Sequence, residues 1–122
     1  MEERRKHKRF DVALNGEFHI RGTGIRGILE TQNISQGGLF ARLNRDVRRD
    51  DVLDCELTFP ETVVPLFVSA RVVWQRHSAQ PEAGVTLMEI DAVERQFLVD
   101  YSFKKWNQDR KNTQYTAAPL DL

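Results

Sequence analysis

The segment Leu66-Phe67-Val68-Ser69-Ala70-Arg71-Val72-Val73-Trp74 decides the fold. Leu66, Val68, Ala70, Val72 and Trp74 occupy every second position, and a period of two places them on one face of an extended chain. A helix would scatter them. Trp74 is therefore expected in a core, as is Trp106 further on. Phe67 and Val73 fall on the opposite face, where they would pack under another element or form a dimer surface.

The same period recurs on both sides of this strand. Phe10, Val12, Leu14, Phe18 and Ile20 alternate with polar or small residues, and Gly16 on their apolar face suggests a bulge or a bend where a curved sheet closes. A less regular extended segment runs from Ile25 to Ile34, after the Gly22-Thr23-Gly24 turn. Leu39, Ala41 and Leu43 follow the Ser35-Gln36-Gly37-Gly38 turn, and Leu53, Cys55, Leu57 and Phe59 follow a charged loop. Val85 to Ile90, opened by Gly84, completes six strands.

At Ile90 the period changes. Ile90, Val93, Phe97 and Tyr101 are three or four residues apart, the stripe of a helix lying on a sheet. Asp91 is a suitable N-cap, with Glu94 three residues on, and the helix is expected to end near Trp106. Residues 107–122 are polar and without period, and read as a loose tail. The expected architecture is all-β with a terminal helix, an antiparallel sheet or small barrel packed by that helix.

Bulk properties narrow the function. A chain of 122 residues holds one core, and 40% hydrophobic with 30% charged residues is ordinary for a compact domain. Zero formal net charge argues against binding to DNA or an anionic membrane through the overall field, so an anion site must be local. Residues 2–9 supply one: Arg4, Arg5, Lys6, Lys8 and Arg9 against Glu2 and Glu3 leave +3 on this arm. Cys55, the single cysteine, allows no internal disulfide and reads as a small core residue. With no apolar stretch long enough to span a bilayer and no signal-peptide core, the chain is expected to be cytoplasmic and without a membrane span.

Arg5 and Arg9 stand as Arg-x-x-x-Arg, preceded directly by Arg4. Guanidinium groups pair with phosphate oxygens or the O6/N7 edge of guanine and stack on purines. Taken alone the arm is a solvated basic run or a non-specific nucleic-acid contact. Asn33-Ile34-Ser35-Gln36-Gly37-Gly38 offers an amide, a hydroxyl and turn backbone open to close approach. By itself it is an Asx or Ser turn joining two strands.

In this order, before the first strand and at the second turn, the two motifs resemble the PilZ domain family, over roughly residues 4–106. The resemblance implies a six-stranded antiparallel barrel (residues 10–106, with the helix) whose flexible arm (residues 1–9) wraps cyclic di-GMP against the barrel. It implies that Arg5 and Arg9 grip guanine edges and phosphates, that Asn33 and Ser35 read a guanine, and that Gly37 and Gly38 give the ligand room. Asn33 stands where the family often has aspartate. An amide lacks the carboxylate's charge and presents one acceptor oxygen to guanine, which implies weaker affinity. In similar proteins an arginine placed like Arg4 can accompany two intercalated cyclic di-GMP molecules, so Arg4 bears on stoichiometry.

The expected function is thus a cyclic di-GMP receptor and adaptor whose arm changes conformation on binding and relays the signal to an unidentified downstream protein, as monomer or homodimer. The alternative is a nucleotide-independent protein-interaction domain of the same fold, whose partner would be indifferent to the nucleotide. No cofactor, metal or specific nucleic acid is expected: His7, His19 and His77 sit at no metal-ligand spacing. Nothing marks Ser35 or Cys55 as an activated nucleophile, and a phosphodiesterase would need metal-binding side chains that no cluster near the arm or turn supplies. The chain reads as a binding module and not an enzyme.

Overall fold

In a computed structural model, residues 9–117 are described, with side chains through Asp109. Six strands, β1 (Asn15–Ile20), β2 (Arg26–Ile34), β3 (Gly38–Leu43), β4 (Val52–Thr58), β5 (Leu66–Arg76) and β6 (Glu82–Leu87), are followed by one helix, α1 (Ala92–Ala117). The strands close into an antiparallel barrel in the order β1-β2-β3-β6-β5-β4. Closure pairs every strand on both sides and leaves no free edge.

The inward positions are those the alternation assigns. Phe18, Ile20, Leu29, Leu43, Leu53, Leu57, Val68, Ala70 and Val72 fill the barrel. Cys55 belongs to this core, and burial, with Asp54 adjacent, pushes its thiol up to about 12. The thiolate is the reactive form. Cys55 is therefore expected to resist an aromatic disulfide reagent at pH 8 in the folded protein and to react on unfolding, as thiol absorbance would record; rapid reaction without denaturant would contradict this burial.

The first strand is shorter than its apolar pattern. Phe10, Val12 and Leu14 are buried as expected, but regular pairing begins only at Asn15. Phe10 forms an isolated bridge with Ile34, and the Thr31 hydroxyl donates to the Val12 carbonyl at 2.6 Å while accepting from the Leu14 amide at 2.8 Å. A side chain thus replaces part of the ladder. Gly16 interrupts no register; a Cβ there would lie 2.7 Å from the Glu56 carbonyl oxygen, so glycine permits close β1–β4 contact at the seam that closes the barrel.

Helix α1 starts where the cap predicts, the Asp91 carboxylate accepting from the Glu94 amide at 2.8 Å. Its buried stripe is rotated from the expected one: Val93 is 79% exposed, whereas Leu98 and Ser102 are fully buried. Tyr101 and Phe97 of the expected stripe pack edge-on against Phe59, the residue after β4, at 4.8 and 5.3 Å between centroids. The helix also runs past Trp106 to Ala117, through much of the segment read as a loose tail. Residues 107–117 contain neither glycine nor proline, so nothing stops it there. Among the described residues no helix is long and apolar enough to cross a membrane.

Candidate functional site

A groove of about 280 Å³ lies on the outside of the barrel over β3, β6 and the ends of β2 and β5. It brings together five of the residues singled out in the sequence: Arg9, Asn33, Ser35, Gly37 and Gly38. Arg4 and Arg5 lie outside the described residues.

The turn joining β2 to β3 is tightly organised. The Ser35 amide donates to the Gly38 carbonyl at 2.8 Å, and the buried Ser35 hydroxyl accepts from the Gly37 and Gly38 amides at 3.3 and 3.2 Å. The Gly37 carbonyl accepts from the Leu87 amide at 2.9 Å and the Thr86 hydroxyl at 3.2 Å. Ser35 thus uses its hydroxyl to organise the turn while also lining the groove. Gly38 lies against the β6 backbone, where a Cβ would collide with the Val85 carbonyl oxygen.

Two bulges shape the groove. Between Thr31 and Asn33 the β2–β3 register shifts, so Thr31 and Ile34 both point inward while Gln32 and Asn33 both point outward. The half-buried Asn33 amide makes no hydrogen bond among the described residues and forms part of the groove wall. The second shift, in β5–β6 between Val72 and Trp74, has the same effect. Val72 is buried, and Val73 and Trp74 both turn out into the groove.

Trp74 is therefore not core; the residue is 39% exposed. Its indole lies over Gly84, the residue opposite it on β6, and a Cβ on Gly84 would run into the ring. Phe40, opposite Gly84 on the other side, sits 5.2 Å from the indole at 41°. Strand alternation hid this aromatic ledge because an inserted residue reverses the parity beyond it. The consecutive apolar residues Val72-Val73-Trp74 and the facing Gly84 were the available signals.

Chemically, the groove offers a guanidinium, an uncommitted amide, a rigid glycine turn and an aromatic face, a set suited to an anionic ligand that carries a planar, hydrogen-bonding base. A second groove, of about 340 Å³, crosses the far side of the barrel on β1 and β4 and is lined by Glu17, Asp54, Glu56 and Glu89 among others. Arg21 pairs there with Asp54 at 2.7 Å and holds its carboxyl below the ordinary range. Four carboxylates against a single arginine in the lining, Arg26, disfavour a phosphate ligand.

Comparison with known proteins agrees with the fold and the family resemblance. The PilZ domain family model matches residues 3–104. Among solved structures, the PilZ domain with c-di-GMP of YcgR from Escherichia coli superposes with a TM-score of 0.74 at 11% identity, covering 92% of this chain and 98% of that one. The Bacillus subtilis inhibitor of motility (MotI/DgrA) gives 0.70 at 21% identity, covering 89% and 54%. The PilZ domain of CeSA from a cellulose-synthesising bacterium gives 0.60 at 12% identity, covering 80% and 96%. The chain spans about half the length of the Bacillus protein and nearly all of the isolated PilZ domains. No curated protein matches by sequence.

Proposed function

The chain belongs to the PilZ domain family, and from that premise we propose that it is a receptor for cyclic di-GMP, a binding module that transmits occupancy to a partner protein. The observation that carries this reading is the convergence of Arg9, Asn33, the Ser35–Gly38 turn and Trp74 on one groove. Each supplies a different part of the recognition chemistry.

Arg9, with Arg4 and Arg5 preceding it on the arm, answers the phosphates and the guanine O6/N7 edge. The Asn33 side-chain oxygen accepts from guanine N1–H or N2–H, and the Trp74 face carries the purine. Ser35 works at one remove by holding the turn in shape. An arm with several like charges is drawn onto the groove when the phosphates neutralise them, and its new position is what a partner protein would read. The extra guanidinium of Arg4 stacks on a second guanine and raises the capacity to two nucleotides per chain.

Calorimetric titration with micromolar cyclic di-GMP tests the reading. Saturable heat is expected, with a stoichiometry of two. A stoichiometry of one removes the stacking role of Arg4, and no heat at all leaves the nucleotide-independent interaction domain in its place.

The Trp74 ledge makes a separate prediction. Base–aromatic stacking is worth about 1–3 kcal/mol by alanine substitution, so Trp74→Ala is expected to weaken binding by about tenfold or more. Trp74→Ala also removes the indole's contacts with Gly84 and Phe40, so a modest fall in Tm is expected beside the loss of affinity, and Trp74→Phe should restore part of both; equal affinities of wild type and Trp74→Ala would remove the ledge from the site.

A further inference from the structure

Helix α1 touches two residues that adjoin the groove lining, Gln36 in the turn and Phe10 next to Arg9. From its second turn, Arg95 donates through Nη1 to the Gln36 carbonyl, at the middle of the Ser35–Gly38 turn. The flanking carbonyls are held by the barrel or by the turn itself, Gly37 by Leu87 and Thr86, and Gly38 by Ser35. Gln36 is thus the point at which the turn is fastened to the helix.

The arm half is gripped further along. Phe10, which follows Arg9 directly, exchanges two 2.8 Å backbone hydrogen bonds with Ile34, so it ties the arm to the strand that leads into the turn. Its ring lies 5.6 Å from Phe103 and 5.6 Å from Trp106, both on α1. Arg95 and this aromatic pair are separated by two to three helical turns, roughly 12–16 Å along the axis. One rigid element therefore spans from the turn to the root of the arm, with Leu98 buried between the two anchor points.

We propose that Arg95, Phe103 and Trp106 are positioning residues for the nucleotide site, and that through them α1 registers whether the groove is occupied. The inference rests on the receptor reading above. Its physical basis is reciprocity: if binding requires the turn and the arm root where α1 holds them, bound nucleotide must stabilise the docked helix by the same coupling free energy. A helix that merely covers the end of the barrel would be indifferent to the ligand.

Hydrogen exchange of the full chain, read by mass spectrometry with and without cyclic di-GMP, tests the coupling. Amides over 98–106 are expected to exchange several-fold more slowly when the nucleotide is bound. Arg95→Ala is expected to bind about fivefold more weakly, with partial recovery in Arg95→Lys, and to lose much of the ligand-induced protection. Phe103→Ala, which leaves the turn contact in place, should do the same from the arm side. Nucleotide binding to the wild type with α1 exchange unchanged, or wild-type affinity in both alanine variants, overturns this inference and leaves the receptor reading standing. Absence of wild-type binding overturns both.

Discussion

Replacing Arg5 and Arg9 together by alanine is expected to reduce cyclic di-GMP affinity by a hundredfold or more while leaving the barrel's thermal midpoint unchanged. Arg9 stands at the groove wall, and Arg5 precedes it by four positions in the Arg-x-x-x-Arg pair on which the receptor proposal draws. A bidentate guanidinium contact to guanine is worth about 1–3 kcal/mol, so losing two approaches the sum of two such effects if they act independently. Arg9 is exposed, and among the described residues the buried core begins at Phe10. Lysine at both positions should not rescue binding fully, because an ammonium keeps the charge but lacks the planar fork. If the double alanine variant bound within threefold of wild type in calorimetry, the arm would be a solvated basic run and the receptor reading would lose its main cationic support.

The same two motifs show how much of the site could be read without coordinates. The inward set of β3, β4 and most of β5 follows directly from alternation, and the Asp91 cap marks the helix start, because both signals are local. Asn33 and Trp74 reach the groove through bulges, and a bulge is a relation between two strands. In β5 the alternation through Leu66, Val68, Ala70 and Val72 is genuine; continuing it to Trp74 puts the indole on the wrong face. The helix's facing was legible only in part. Ile90, Phe97 and Tyr101 do pack onto the barrel, but Val93 turns out to solvent and the most deeply buried positions, Leu98 and Ser102, lie beside the expected stripe. Ser35 was correctly assigned to the turn, but its bonds to Gly37 and Gly38 give it an architectural role that residue type alone cannot distinguish from ligand contact.

Gly38 poses that distinction most sharply, and Gly38→Ala is expected to lower stability and affinity together. On the resemblance alone this glycine leaves room for the nucleotide, and an alanine would then cost affinity while the barrel stayed intact. The surroundings indicate a second constraint. A Cβ at position 38 would meet the Val85 carbonyl oxygen, with the Val85 carbonyl carbon at 3.2 Å and the Thr86 Cα at 3.3 Å. All three atoms are backbone, in the strand paired with Gly38, so no rotamer change relieves the clash. Relief requires β3 and β6 to separate at the point where the Leu87 amide and the Thr86 hydroxyl hold the turn. Overpacking of this kind costs about 1–3 kcal/mol, and about 2 kcal/mol in a domain of this size corresponds to roughly 8 °C in Tm. Ser35→Ala, which removes hydrogen bonds without adding an atom, should cost closer to 1 kcal/mol. Thermal melts beside calorimetric titrations separate the two constraints: a Gly38→Ala protein that melts with the wild type but binds weakly would assign this glycine to ligand clearance alone, whereas parallel losses would mean that one backbone contact both closes the β3–β6 seam and shapes the turn.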